Sequence, residues 1–124
     1  MTDPSSPALR LLPVPPGRAA LDVLPELALA LARDRPVMPH AATGPVPPIP
    51  AHDAASLPDA LAVVVGTSGS TGTPKRALLT ADALRASARA THATLGGPGQ
   101  WLLAIPPHHI AGLQVLVRSL DAGT

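Results

Sequence analysis

The sequence predicts an α/β fold, an incomplete layered sheet with flanking helices, on three observations. Leu61-Ala62-Val63-Val64-Val65 is a continuous apolar, β-branched run of the kind found in strands buried on both faces. A glycine- and hydroxyl-rich loop, Gly66 to Lys75, follows it at once. Beyond the loop, helix-patterned segments alternate with short apolar runs, which calls for crossover connections and at least partly parallel strands.

Taken in order, residues 1–20 carry Pro4, Pro7, Pro13, Pro15, Pro16 and Gly17 without a sustained period and read as an extended lead-in. The remainder, 21–124, reads as a partial domain that breaks off at its C-terminal end. Pro25 suits a first helical turn, and Leu27 and Leu31 extend a short helix to Arg35, where Pro36 disfavours helical geometry in its predecessor. From Pro36 to Pro58 the prolines and Gly44 predict an extended surface crossing without regular structure. The strand at Leu61–Val65 leads through the loop to a short strand at Arg76–Leu79. Thr80 is a good N-cap, with Asp82 in the first turn favouring the helix dipole. The helix it starts runs to about Leu95, with Leu84, Ala88, Thr91 and Leu95 on one face, and Gly96-Gly97-Pro98-Gly99 ends it. Trp101–Ile105 predicts another buried strand, stopped by Pro106-Pro107. Ile110, Leu113, Val117 and Leu120 mark a last helix closing near Gly123. This yields three strands and an unpaired edge, the expectation for a fragment of a larger domain. The alternative is a complete minimal α/β domain finished by swapped or dimeric strands.

Composition narrows the chemistry. The 124 residues include no Cys, Tyr or Phe, and the formal net charge is +1, too near neutral for a nucleic-acid binder on bulk electrostatics. Without cysteine there is no thiol catalysis, thiolate metal site or disulfide, and the cytosol is the default compartment. Pro13, Pro15 and Pro16 interrupt any signal-peptide core, and Leu24–Ala32 is too short for a membrane span.

Chemistry concentrates in the loop. Gly66-Thr67-Ser68-Gly69-Ser70-Thr71-Gly72-Thr73-Pro74-Lys75 holds three glycines, five hydroxyls and the only lysine of the chain. Glycines let backbone N–H groups converge on an anion, hydroxyls add donors, and a lysine supplies a compact charge suited to polyphosphate. Pro74 before Lys75 and Arg76 after it exclude the Walker phosphate loop, and the glycine spacing excludes the dinucleotide fingerprint. A flexible turn without ligand is the plain alternative.

At these residues the chain resembles the AMP-forming adenylating enzymes, the superfamily of acyl-CoA synthetases, luciferases and peptide-synthetase adenylation domains, whose phosphate loop reads T-S-G-[ST]-T-G-x-P-K-G. Thr67 to Lys75 match throughout, and Arg76 departs from the usual glycine. Ile105-Pro106-Pro107-His108-His109-Ile110-Ala111-Gly112 resembles the family segment L-P-x-x-H-x-x-G, with His109 at the motif histidine. Within the superfamily, the context of residues 101–114 looks most like actinobacterial o-succinylbenzoate–CoA ligases of menaquinone biosynthesis.

The resemblance implies the N-terminal part of the adenylating-enzyme large domain. It also implies ATP and Mg²⁺ as cofactors, CoA as co-substrate and a small carboxylic acid as substrate. Thr67, Ser68, Gly69, Ser70, Thr71, Gly72, Thr73 and Lys75 would bind the nucleotide phosphates, Lys75 acting catalytically on the departing pyrophosphate. His109 would line the acyl and adenylate pocket, with His108 pointing elsewhere. Gln114 and Arg118 are within reach of the CoA or substrate side, a placement that exposed helix polarity explains equally well. The adjacent histidines are no metal motif, and His40, His52 and His92 suggest no third ligand. The family's adenine-binding segment, Mg²⁺-binding Glu, ribose-binding Asp and C-terminal catalytic Lys all belong beyond Thr124. The chain alone is therefore expected to be inactive: the N-terminal piece of a ligase or, alternatively, a non-catalytic remnant that binds phosphate or a protein partner.

Overall fold

The computed structural model describes residues 9–32, 35–48, 60–67 and 75–124. Four strands form one sheet in the order β1 (Arg10–Val14), β2 (Val37–Ala41), β3 (Leu61–Thr67) and β4 (Lys75–Thr80). β1, β2 and β3 are parallel, and β4 returns antiparallel to β3 with Gly66 opposite Arg76 and Thr67 opposite Lys75. The sheet is therefore mixed, and the loop of interest is the turn of its one antiparallel pair.

Two strands stand where irregular chain was expected. β1 lies inside the lead-in, and β2 lies inside the proline-rich crossing with Val37, Met38 and Pro39 buried. Their register joins Leu12 to Pro39 and Pro13 to His40, so each strand carries a proline within the ladder. β1 tolerates this as an edge strand. Between β2 and β3 the paired register is confined to Val37 and Val63, in keeping with the donor that Pro39 lacks two residues further on.

A 3-10 helix over Gly17–Val23 leads into α1 (Leu24–Leu31), with Pro25 in its first turn. α1 stops at Leu31, short of the expected Arg35, with the Ala32 N–H on the Ala28 carbonyl at 3.0 Å. α2 (Ala81–Leu95) begins at Thr80, whose hydroxyl accepts from the Ala83 N–H at 3.1 Å, and ends at Gly96 with φ of 88°. Its buried stripe is Ala81, Leu84, Ala88 and His92, whereas Leu95 is 64% exposed, so the helix is turned by one residue from the expected face. Trp101, rather than a further strand, covers that end of α2, its ring 6.3 Å from that of His92.

Trp101–Ile105 forms no strand: Leu102 is 85% exposed, and the segment packs residue by residue, Leu103 against the core and Trp101 against the helices. An apolar run becomes a strand only where a neighbouring ladder accepts it, and among the described residues none pairs with this one. α3 (Ile110–Ala122) closes at Gly123 with φ of 74°.

Among the described residues, the helices α1, α2 and α3 bury their apolar stripes on the sheet face that presents Leu12, Val14, Val37, Val63 and Val65. The opposite face carries a smaller cluster of Leu9, Met38, Leu61 and Val64, the alternation expected of a strand. A register shift between Leu61 and Val63 lets Ala62 join Val63 in the main cluster. This packing directs the carboxyl ends of β2 and β3 and the amino end of α3 toward one edge.

Candidate functional site

A cleft of about 390 Å³ opens at that edge. β2 contributes His40, the β3–β4 pair contributes Gly66 and Arg76, the turn before α3 contributes His108 and His109, and Pro45, Pro47 and Pro48 form a further part of the wall. The position follows the rule that α/β sheets bind ligands outside the carboxyl ends of their parallel strands. Among the described residues no carboxylate lines the cleft, which brings the Arg76 guanidinium together with the imidazoles of His40, His108 and His109 and the amino end of a helix. Such a lining favours an anion.

Thr67 and Lys75 are the last residue of β3 and the first of β4, so the ladder sets the stems of the loop beside the cleft. Ser68, Gly69, Ser70, Thr71, Gly72 and Thr73 lie outside the described residues.

The histidine pair is set by local sequence. Pro106-Pro107 ends the apolar run, the His109 N–H closes a turn onto the Pro106 carbonyl at 3.0 Å, and the Leu113 N–H starts α3 on the His109 carbonyl at 2.9 Å. His109 takes the extended N-cap conformation without a side-chain cap bond. Gly112 makes the packing possible: a Cβ there would lie 2.5 Å from the Pro106 carbonyl oxygen and closer still to that of Ile105. The motif glycine is thus a steric requirement that lets α3 lie directly on the backbone presenting the histidines.

Both histidines line the cleft, contrary to the expectation that His108 points elsewhere. Their ring centroids are 4.2 Å apart, with His108 half-buried and His109 exposed. Burial, then the neighbouring His109 and His40 charges, hold the His108 imidazole below the ordinary histidine range. Neutral His108 is therefore the resident form at neutral pH. His40 places Nδ1 2.9 Å from the Ala41 carbonyl oxygen; since a carbonyl only accepts, Nδ1 carries the proton.

Arg118 lies away from this cleft as a participant in a second polar cluster, its guanidinium 4.7 Å from the centre of the Trp101 ring. Nε of Arg118, Nε1 of Trp101, Nε2 of His92 and Oε1 of Gln114 are all buried without a hydrogen-bond partner among the described residues. Among the described residues no group of three or more His, Asp or Glu is disposed to hold a metal ion, and no helix is long and apolar enough to cross a membrane.

His40 and the proline wall had no signal of their own in the sequence. A lone histidine between prolines has no period and no motif, and only the parallel pairing of β2 brings it to the cleft.

Comparison with known proteins adds a family. The family model described as AMP-binding enzyme matches residues 12–124. A protein named "Probable 2-succinylbenzoate–CoA ligase" from Mycobacterium tuberculosis is 50% identical over 117 residues, covering 94% of this chain and 30% of its own length. The 2-succinylbenzoate–CoA ligase of Escherichia coli K12 is 40% identical over 75 residues, covering 59% of the chain and 17% of the relative. The sulfoacetate–CoA ligase of Cupriavidus necator is 40% identical over 101 residues, covering 78% of the chain and 18% of the relative. The chain thus spans 30% or less of the length of these curated relatives. No solved structure matches significantly.

Proposed function

Because the chain belongs to the AMP-binding enzyme family, we propose that it forms the phosphate-binding and part of the acyl-binding wall of an AMP-forming acid–thiol ligase. The acid is 2-succinylbenzoate, as in the names of the relatives, and the setting is menaquinone biosynthesis in the cytosol. One observation carries the reading: the stems of the Thr67–Lys75 loop and the His108–His109 turn meet at one cleft whose described lining residues include no carboxylate.

In the first half-reaction a substrate carboxylate oxygen attacks the α-phosphorus of ATP, and the bond to pyrophosphate breaks with its electron pair leaving on pyrophosphate. In the second, the CoA thiol loses its proton and displaces AMP from the acyl carbon. The nucleophiles belong to the substrates, so the protein supplies positioning and electrostatics. Loop amides with Ser68, Ser70, Thr71 and Lys75 orient pyrophosphate and stabilise its developing charge. Mg²⁺ would neutralise phosphate charge when bound; among the described residues of this cleft none offers it a carboxylate. His109 faces the acyl and adenylate groups, with His108 beside it.

Lys75→Ala in the full-length protein carrying this chain tests the assignment. Loss of one charge-assisted contact worth about 1.5–3 kcal/mol lowers adenylate formation about ten- to a hundredfold. Thioester formation from supplied acyl-adenylate stays near the wild-type rate. Equal loss in both half-reactions contradicts the role given to Lys75.

A further inference from the structure

We propose that Arg76 is a positioning residue that holds the Pro45–Pro48 wall of the cleft that the histidine pair also lines and so sets how the cleft grips the acyl substrate. The inference deepens the function proposed above and rests on it for the identity of what the cleft holds.

Arg76 donates from Nη2 to the Pro48 carbonyl oxygen at 2.7 Å, joining positions 28 residues apart. Its backbone is fixed in the ladder opposite Gly66, the last glycine of β3 before the loop, so one end of this bond is anchored in the sheet. The other end is a segment that no ladder can hold. Pro45, Pro47 and Pro48 have no N–H to give, which leaves their carbonyls as the only backbone groups a partner can engage. A side-chain donor is the way to fasten such a segment, and arginine has five N–H groups to offer. Proline-rich backbone is also stiff, so one bond near its end constrains the whole stretch.

The stretch matters because these prolines line the same cleft as His40, His108 and His109. A shift of this segment changes the shape of the cleft that the histidine pair also lines. Arg76 directly follows Lys75, so the residue fastening the acyl-side wall is covalently next to the lysine assigned to phosphate. A substitution at 76 leaves the lysine and its loop sequence in place and alters the cleft at its guanidinium and at the segment that guanidinium holds.

The test uses Arg76→Met, which keeps bulk and removes the donors, and Arg76→Lys, which keeps one charged donor. Both are made in the full-length protein carrying this chain, with melting curves to verify folding. Hydrogen exchange of the amides from Ala41 to Val46 reports the wall, and steady-state kinetics report the substrates. Arg76→Met speeds exchange in that stretch and raises KM for the carboxylate, each by about tenfold, as expected for loss of a hydrogen bond to a charged group. Arg76→Met raises KM for the carboxylate several times more than KM for ATP, and Arg76→Lys restores most of the carboxylate KM. Unchanged exchange in Arg76→Met overturns the fastening. Faster exchange with equal increases in both KM values overturns the acyl-side role. A wild-type protein that activates no carboxylate overturns the proposed function and the substrate part of this inference with it, while exchange still decides whether Arg76 holds the wall.

Discussion

His108 keeps a buried Nδ1 without a hydrogen-bond partner among the described residues, and its imidazole resists protonation because burial and two neighbouring histidines oppose the charge. Its folded pKa is below its unfolded value, near 6.5 for a free histidine. The neutral form therefore contributes stability that is complete above about pH 6.5 and is lost as pH falls through the folded pKa. Thermal melts of the full-length protein between pH 7.5 and 5.5 will show wild type losing more stability than His108→Gln, and parallel curves would remove the assigned cause. His109 is exposed on the same cleft, and the proposed function sets it against the acyl substrate. His109→Ala is expected to lower acyl-substrate turnover more than about tenfold, or 1.4 kcal/mol of transition-state stabilisation, at unchanged cooperativity of unfolding. His108→Ala costs less in rate and shows its effect in the pH dependence of stability. Equal rate losses in the two variants would contradict the division. At this scale a motif singled out His109, which does line the cleft, and the sequence passed over His40, whose place in the same lining is a product of strand pairing.

The elements that were legible are those with a local cause. Val63 and its neighbours form a buried strand, Thr80 caps α2 as its side chain predicts, and Gly96 and Gly123 end their helices in the left-handed conformation. Those that were not legible depend on partners distant in sequence. β1 and β2 become strands because each completes the other's ladder in spite of Pro13 and Pro39, and Trp101–Ile105 stays irregular for want of a ladder. Thr80→Ala should cost about 1 kcal/mol, the usual worth of an N-cap, in a chemical denaturation experiment. Gly112→Ala is a harsher test, since its Cβ meets two backbone carbonyls that cannot rotate away. Overpacking of this kind costs about 1–3 kcal/mol or more. It should also displace the histidine turn, so acyl-substrate turnover falls beyond what the stability loss explains. Gly112→Ala with wild-type stability and turnover would show that α3 does not need its close approach.

Among the described residues, three helices on one face of a four-stranded sheet bring loop stems, histidine turn and proline wall to one edge, and the chain spans 30% or less of its curated relatives. Residues 1–124 alone are expected to give no ATP–pyrophosphate exchange with 2-succinylbenzoate, because they span 30% or less of the length of the curated ligases they resemble. The most direct test of the whole account therefore transplants the chain. Residues 12–124 replace the matching segment of the Mycobacterium tuberculosis relative, which is 50% identical to it. The measurement is ATP–pyrophosphate exchange dependent on 2-succinylbenzoate. The account predicts exchange by the chimaera that falls about ten- to a hundredfold on Lys75→Ala. A folded chimaera that melts cooperatively yet gives no exchange, or exchange indifferent to Lys75→Ala, would contradict it.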